Sequence, residues 1–109
     1  MRVAHDYTPQ YPDPITVRAG ERVQIGRDDP EFPGWWWCTA SDGREGWVPE
    51  QLLQRNGGEA AMLRDYTARE LAVRAGTEVR LGEVVHGWVW ATDAAGGSGW
   101  IPLTCVAAD

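Results

Sequence analysis

Four short blocks occur twice in this chain, in the same order, and that duplication limits the fold more than any local signal does. Val3-Ala4-His5-Asp6-Tyr7 returns as Met62-Leu63-Arg64-Asp65-Tyr66, and Val17-Arg18-Ala19-Gly20 as Val73-Arg74-Ala75-Gly76. Gly34-Trp35-Trp36-Trp37-Cys38-Thr39 returns as Gly87-Trp88-Val89-Trp90-Ala91-Thr92, and Gly46-Trp47-Val48-Pro49 as Gly99-Trp100-Ile101-Pro102. One unit of roughly 50 residues has been duplicated, so each copy must suit the same small architecture. The offset is 59 residues at Asp6/Asp65, 56 at Gly20/Gly76, and 53 at Trp35/Trp88, Gly46/Gly99 and Pro49/Pro102. The second copy is therefore shorter at two places only. Those places read as loops, which tolerate deletion.

The apolar stretches are short and alternate with polar residues, as in Ile15-Thr16-Val17, Val23-Gln24-Ile25, Leu71-Ala72-Val73 and Val79-Arg80-Leu81. Period-two alternation over three to six residues predicts strands, and no segment of ten or more residues shows the helical period. The fold class expected is all-β, a small antiparallel barrel or sandwich per copy. Three prolines in Thr8–Pro14 exclude a ladder strand there. Gly26–Gly34 reads as an acidic loop, Ser41–Arg44 as a tight Asp-Gly hairpin, and Ala94–Gly97 as its counterpart. The stretch Gln54–Glu59 is taken as the linker, which gives domains at 1–54 and 59–109. A linker that short keeps the two domains close.

Composition removes several function classes. The net charge of −6 opposes a nucleic-acid partner. No apolar run approaches the ~18 residues of a membrane span, and the N-terminus has no signal-peptide segment, so the chain is expected in the cytoplasm. All ten basic residues are Arg, read as the mark of a GC-rich genome. Cys38 and Cys105 occupy different places in the two copies and form no disulfide framework. His5 and His86 are isolated, and no nucleophile–base pair, metal-ligand spacing or phosphate loop is visible. Neither an enzyme nor a cofactor or metal site is expected.

The ordered blocks resemble the Src homology 3 (SH3) family, from its Ala-Leu-Tyr-Asp-Tyr opening through Trp-Trp to Gly-Tyr-Ile-Pro. Taken twice, the likeness covers nearly the whole chain, in the manner of a divergent bacterial member. The resemblance implies two tandem five-stranded SH3-like barrels, the second with shortened RT and n-Src loops. It also implies a groove for extended, proline-rich peptides: a polyproline II segment is preformed and docks at little entropic cost between aromatic walls. Acidic loop residues then select an Arg and fix the peptide's direction.

Carried over residue by residue, the first groove is Tyr7, Trp35, Trp47, Pro49 and Leu52, with Asp13, Asp28, Asp29 and Glu31 as acids. The second and weaker groove is Tyr66, Trp88, Trp100 and Pro102, with Glu70. His5 and Arg64 stand where the family has its first groove Tyr, and Leu52 and Cys105 where it has its last. Each tyrosine has a plainer reading as a packed barrel residue, and the acidic cluster as a solvated loop. Trp36 and Val89 are assigned to the core or its edge by parity with Cys38 and Ala91. Trp37 and Trp90 need cover, which contact between domains or a wider ligand platform supplies; the inter-domain role is preferred. Cys38 is read as inert core and Cys105 as partly exposed.

The expected function is thus a non-enzymatic module binding a peptide, proline-rich and Arg-containing, mainly through the first groove, as a monomer or weak dimer. Two alternatives stand beside it. One is a structural or assembly protein whose aromatic surfaces are buried between domains or in self-association. The other is an SH3-like module for cell-wall peptides.

Overall fold

The alternating segments Val23-Gln24-Ile25 and Val79-Arg80-Leu81 fall in strands, and the Asp-Gly segment Ser41–Arg44 joins two others. The computed structural model describes residues 1–9 and 13–106, so part of the proline-rich Thr8–Pro14 loop and the last three residues lie outside the described residues. Ten strands are assigned: β1 Thr16–Val17, β2 Arg22–Asp28, β3 Trp35–Ala40, β4 Glu45–Pro49, β5 Leu53–Asn56, β6 Glu59–Met62, β7 Tyr66–Thr67, β8 Val79–Val85, β9 Trp88–Asp93 and β10 Ser98–Pro102. Two one-turn 3₁₀ segments, Glu50–Leu52 and Leu103–Cys105, follow β4 and β10 at equivalent places. The architecture is all-β, as expected, and antiparallel pairing holds every strand pair.

The compact units do not follow the repeats. One unit is Asp13–Arg69, here called inner for its place in the chain; the other, outer, combines Met1–Pro12 with Glu70–Asp109. The boundaries 1–54 and 59–109 therefore need correcting. The reason lies in the supposed linker. Asn56 and Glu59 face each other across a two-residue turn, and Leu53 pairs with Met62, so the stretch is a hairpin and not a tether. Gly57 holds φ 69 at the first turn position, the conformation of a type II′ turn. This hairpin returns the chain beside its own last strand and lays the opening strand of copy two against copy one. That is the seat the first copy's own opening strand would need.

In the inner unit β6 continues onto β2, giving a five-stranded sheet in the order β4-β3-β2-β6-β5, while β7 pairs with β1 (Val17 opposite Tyr66). In the outer unit the first residues of the chain take the equivalent seat beside the sheet β10-β9-β8, with Val3 opposite Val106 and Tyr7 opposite Val73. The two exchanges match bond for bond. Gly20 N–H donates to Met62 C=O and Gly76 N–H to Val3 C=O, both at 2.7 Å. Met62 N–H donates to Glu21 C=O and Val3 N–H to Thr77 C=O, both at 2.8 Å. Asp65 accepts the Ala19 N–H at 2.9 Å, and Asp6 the Ala75 N–H at 2.7 Å. The paired aspartates thus serve as backbone acceptors.

The outer core is Val3, Val73, Val79, Val89, Ala91 and Ile101, with Tyr7, Leu71, Leu81 and Val106 against it. Ile15, Val17, Val23, Cys38, Val48, Ala60 and Met62 are among the most buried apolar residues of the inner unit. The second copy's shorter n-Src region is a two-residue turn, with His86 at φ 42 and Gly87 at φ 88, as a type I′ turn requires.

Candidate functional site

Strand exchange decides which groove residues meet. In the outer unit Tyr7 is clamped by two backbone bonds with Val73, at 2.9 and 3.0 Å. Its ring meets Trp88 edge to face at a centroid distance of 5.8 Å, a favourable aromatic geometry. Its hydroxyl donates to Glu70 Oε2 at 2.9 Å. Trp88 opens β9 directly opposite Pro102 of β10. Tyr7, Trp88, Pro102 and Glu70 are each half-buried. A flat indole, a phenol and a proline ring beside a carboxylate make a surface suited to an extended apolar segment with a cationic end.

The inner unit assembles the matching set from Tyr66, Trp35 and Pro49, with Trp35 opposite Pro49 and the Tyr66 hydroxyl donating to the Trp47 carbonyl at 2.8 Å. These walls are closed: Trp35 is 4 % exposed and Tyr66 8 %, and Pro49 is fully buried. Leu52, assigned to this groove, is buried as well. Tyr7 and Trp35 belong to different compact units. Trp100 is also buried and does not form an open wall.

The acids divide by local chemistry. Asp13 pairs with Arg44 at 3.3 Å. Asp29 accepts the N–H groups of Glu31 and Phe32 at 2.8 and 3.2 Å, so its carboxylate organises the loop after β2. Asp28 lies opposite Trp36, and both Asp28 and Glu31 are exposed. Of the predicted acids, Glu70 stands against a groove tyrosine.

The remaining tryptophans pair within their own units. Trp37 meets Trp47 edge to face at 5.1 Å, and Trp90 meets Trp100 in the same way at 5.3 Å. Trp36 is half-buried, at the core's edge, with the Arg55 guanidinium 4.3 Å above its ring. Val89 is core, as its parity required. Both cysteines are buried and unbonded, which corrects the partial exposure expected of Cys105. Burial pushes the Cys38 thiol up to about 11, against a weaker opposing pull from the Arg55 charge; burial raises Cys105 as well. Among the described residues no His, Cys, Asp or Glu cluster suits a metal ion, and no helix is long and apolar enough to cross a membrane.

Sequence reasoning missed the regrouping of Tyr7 with Trp88. The Gly57-Gly58 pair carried the signal, since two glycines between strand-like segments mark a two-residue hairpin turn.

A small barrel with paired aromatic walls and an acidic loop is the form of an SH3 domain. The variant SH3 domain family model matches residues 1–55, and the chain belongs to that family. Curated relatives include the mouse (Mus musculus) RelA-associated inhibitor, 42 % identical over 49 residues that make up 44 % of this chain and 6 % of that protein. Mouse apoptosis-stimulating of p53 protein 2 is 41 % identical over 49 residues, 44 % of this chain and 4 % of its own. Myosin-1 of Aspergillus clavatus is 35 % identical over 54 residues, 49 % of this chain and 4 % of its own. The likeness thus spans a small part of each relative. No solved structure matches the chain. SH3 domains are in general protein-interaction modules. The matched segment 1–55 is itself divided between the two units, its opening residues in the outer and the rest in the inner.

Proposed function

We propose that this chain is a non-enzymatic interaction module that binds an extended peptide, proline-rich with an Arg near one end, in the outer unit. Tyr7, Trp88 and Pro102 receive the apolar stretch, and Glu70 receives the cation. One contrast carries this reading: the outer walls are half-buried, whereas Trp35, Pro49 and Tyr66 of the inner unit are buried. The same contrast favours a structural role for the inner set. The outer set is preferred to the first groove as drawn from the sequence, because Tyr7 packs on Trp88 within the outer unit, whereas Trp35 and Pro49 belong to the inner.

An array of proline-rich, Arg-containing and cell-wall peptides, probed with the intact chain, Trp88→Ala and Trp35→Ala, tests the proposal. Trp88→Ala is expected to weaken the best peptide at least tenfold, the usual cost of removing an aromatic anchor. Folding of each variant is checked by its circular dichroism and thermal melt. Undiminished binding by folded Trp88→Ala overturns the assignment, and a preference for cell-wall peptides replaces the ligand class.

A further inference from the structure

The outer unit is assembled from two stretches, Met1–Pro12 and Glu70–Asp109, which the chain joins only through the whole inner unit, Asp13–Arg69. Its opening strand is bonded to the second stretch along its length. Val79 N–H donates to Met1 C=O and Val3 N–H to Thr77 C=O, both at 2.8 Å, and Ala4 N–H donates to Cys105 C=O at 2.6 Å. Tyr7 exchanges two backbone bonds with Val73, and its hydroxyl reaches Glu70, 63 positions away. Val3 is buried in a core whose other members, Val73, Val79, Val89, Ala91 and Ile101, belong to the second stretch. These bonds and contacts are non-covalent, and none depends on which molecule supplies the strand.

The inner seat is filled differently. There β6 follows β5 across a two-residue turn, so its occupant is always at hand. No such turn delivers Met1–Tyr7 to the outer seat. We infer that the outer seat also takes the opening strand of a second molecule of this chain, so that two molecules exchange Met1–Tyr7 reciprocally and close a two-fold dimer. The seat reads a definite pattern. An aspartate accepts the Ala75 N–H at 2.7 Å, and an apolar residue three positions before it enters the core. The inner seat reads the same pattern in Asp65 and the buried Met62. Met1–Tyr7 of a second molecule meets it in full.

Reciprocal exchange reproduces every bond and every buried methyl of the outer unit, so the two states differ in connection alone. Closing the unit within one chain costs the entropy of a loop that contains the whole inner unit. Closing it between chains costs one association, shared by two seats. Concentration therefore sets the balance. The exchange also changes the make-up of the aromatic set. Tyr7 arrives with the strand, whereas Trp88, Pro102 and Glu70 belong to the receiving stretch. In the dimer each set takes its tyrosine from the other molecule.

The test uses the full chain. Equal parts of isotope-labelled and unlabelled protein are combined, unfolded in guanidinium and refolded together. Size-exclusion chromatography with light scattering should show little dimer at about 10 µM and comparable monomer and dimer at about 1 mM, the range of effective concentration for a tethered segment. In the isolated dimer, isotope-filtered spectra should place the Val3 methyls of one molecule against Val106 and Ile101 of the other; in the monomer those contacts lie within one chain. An excess of a peptide of residues 1–9, present during refolding, should suppress the dimer. The same peptide with Val3→Asp, which carries a charge where the core is apolar, should leave it unchanged. Monomer alone at about 1 mM overturns the inference. So does a dimer whose Val3–Val106 contacts stay within each chain, which places the association on another surface. A dimer indifferent to the unaltered peptide overturns it as well.

Discussion

Val3→Ala and Met62→Ala form a matched pair that tests the strand exchange directly. Val3 is 1 % exposed and belongs to the core of Val73, Val79, Val89, Ala91 and Ile101, all from the second copy. Met62, at 2 %, takes the same place opposite Leu53 of the first copy. Truncating Val3 removes two methyl-sized groups, about 1.6 kcal/mol of transfer free energy, and a partly collapsed cavity raises the cost to about 2 kcal/mol. Truncating Met62 costs about 2–4 kcal/mol. Amide hydrogen exchange reads the effect strand by strand, because a loss of about 2 kcal/mol speeds opening roughly thirtyfold. Val3→Ala should accelerate exchange in β8, β9 and β10 and spare β2, β3 and β4. Met62→Ala should do the reverse. Had each copy kept its own opening strand, the two patterns would be interchanged. Observing that interchange, or equal acceleration of both sheets in both variants, refutes the exchange.

Three further outcomes follow from local geometry. Gly46→Ala places a Cβ 2.8 Å from Ile15 Cγ2 and 3.1 Å from the Ala68 Cβ, so it should cost about 1–3 kcal/mol by chemical denaturation. His86→Gly removes a non-glycine residue from φ 42 and should raise stability by about 1 kcal/mol, read as a higher melting temperature. The Cys38 thiol, about 11 in the fold against 9.0 when free, favours the protonated folded state. Its contribution is complete below pH 9 and is lost as pH rises toward 11. The difference in unfolding free energy between wild type and Cys38→Ala should shrink by about 2 kcal/mol between pH 8 and pH 10.5.

What the sequence makes legible is what is local. Alternation in Val23-Gln24-Ile25 and Val79-Arg80-Leu81 reports which side chains point inward, and the repeated glycines and Asp-Gly pair mark the hairpins; each strand needs only its own residues for this. Partner choice is different. Val3 and Met62 offer the same backbone groups to the same kind of seat, and Asp6 and Asp65 accept equivalent N–H bonds. These bonds do not distinguish one copy's seat from the other's. The discriminating information sits in the two-residue turn at Gly57-Gly58, which makes one pairing local and leaves the other strand to be supplied from the chain's first residues. For Trp36 parity gives a direction, core or its edge, but not that an Arg55 guanidinium lies over the ring.

The loop deletions in the second copy gain a meaning once the strands are exchanged. Read as two independent domains, the clipped copy seems to have lost its specificity loops and the full-length copy to have kept them. In the folded chain the full-length n-Src region precedes a buried tryptophan, Trp35, and its Asp29 carboxylate is occupied by the loop's own N–H groups. The clipped region, a two-residue turn, precedes Trp88, which is half-buried beside Tyr7 and Pro102. The tyrosine of that set comes from the copy with the long loops and the tryptophan from the copy with the short ones. Each aromatic set is therefore a hybrid of the two copies, with its opening tyrosine from one and its tryptophans from the other. Judging either copy's competence from its own residues alone assigns the aromatic walls to the wrong partners.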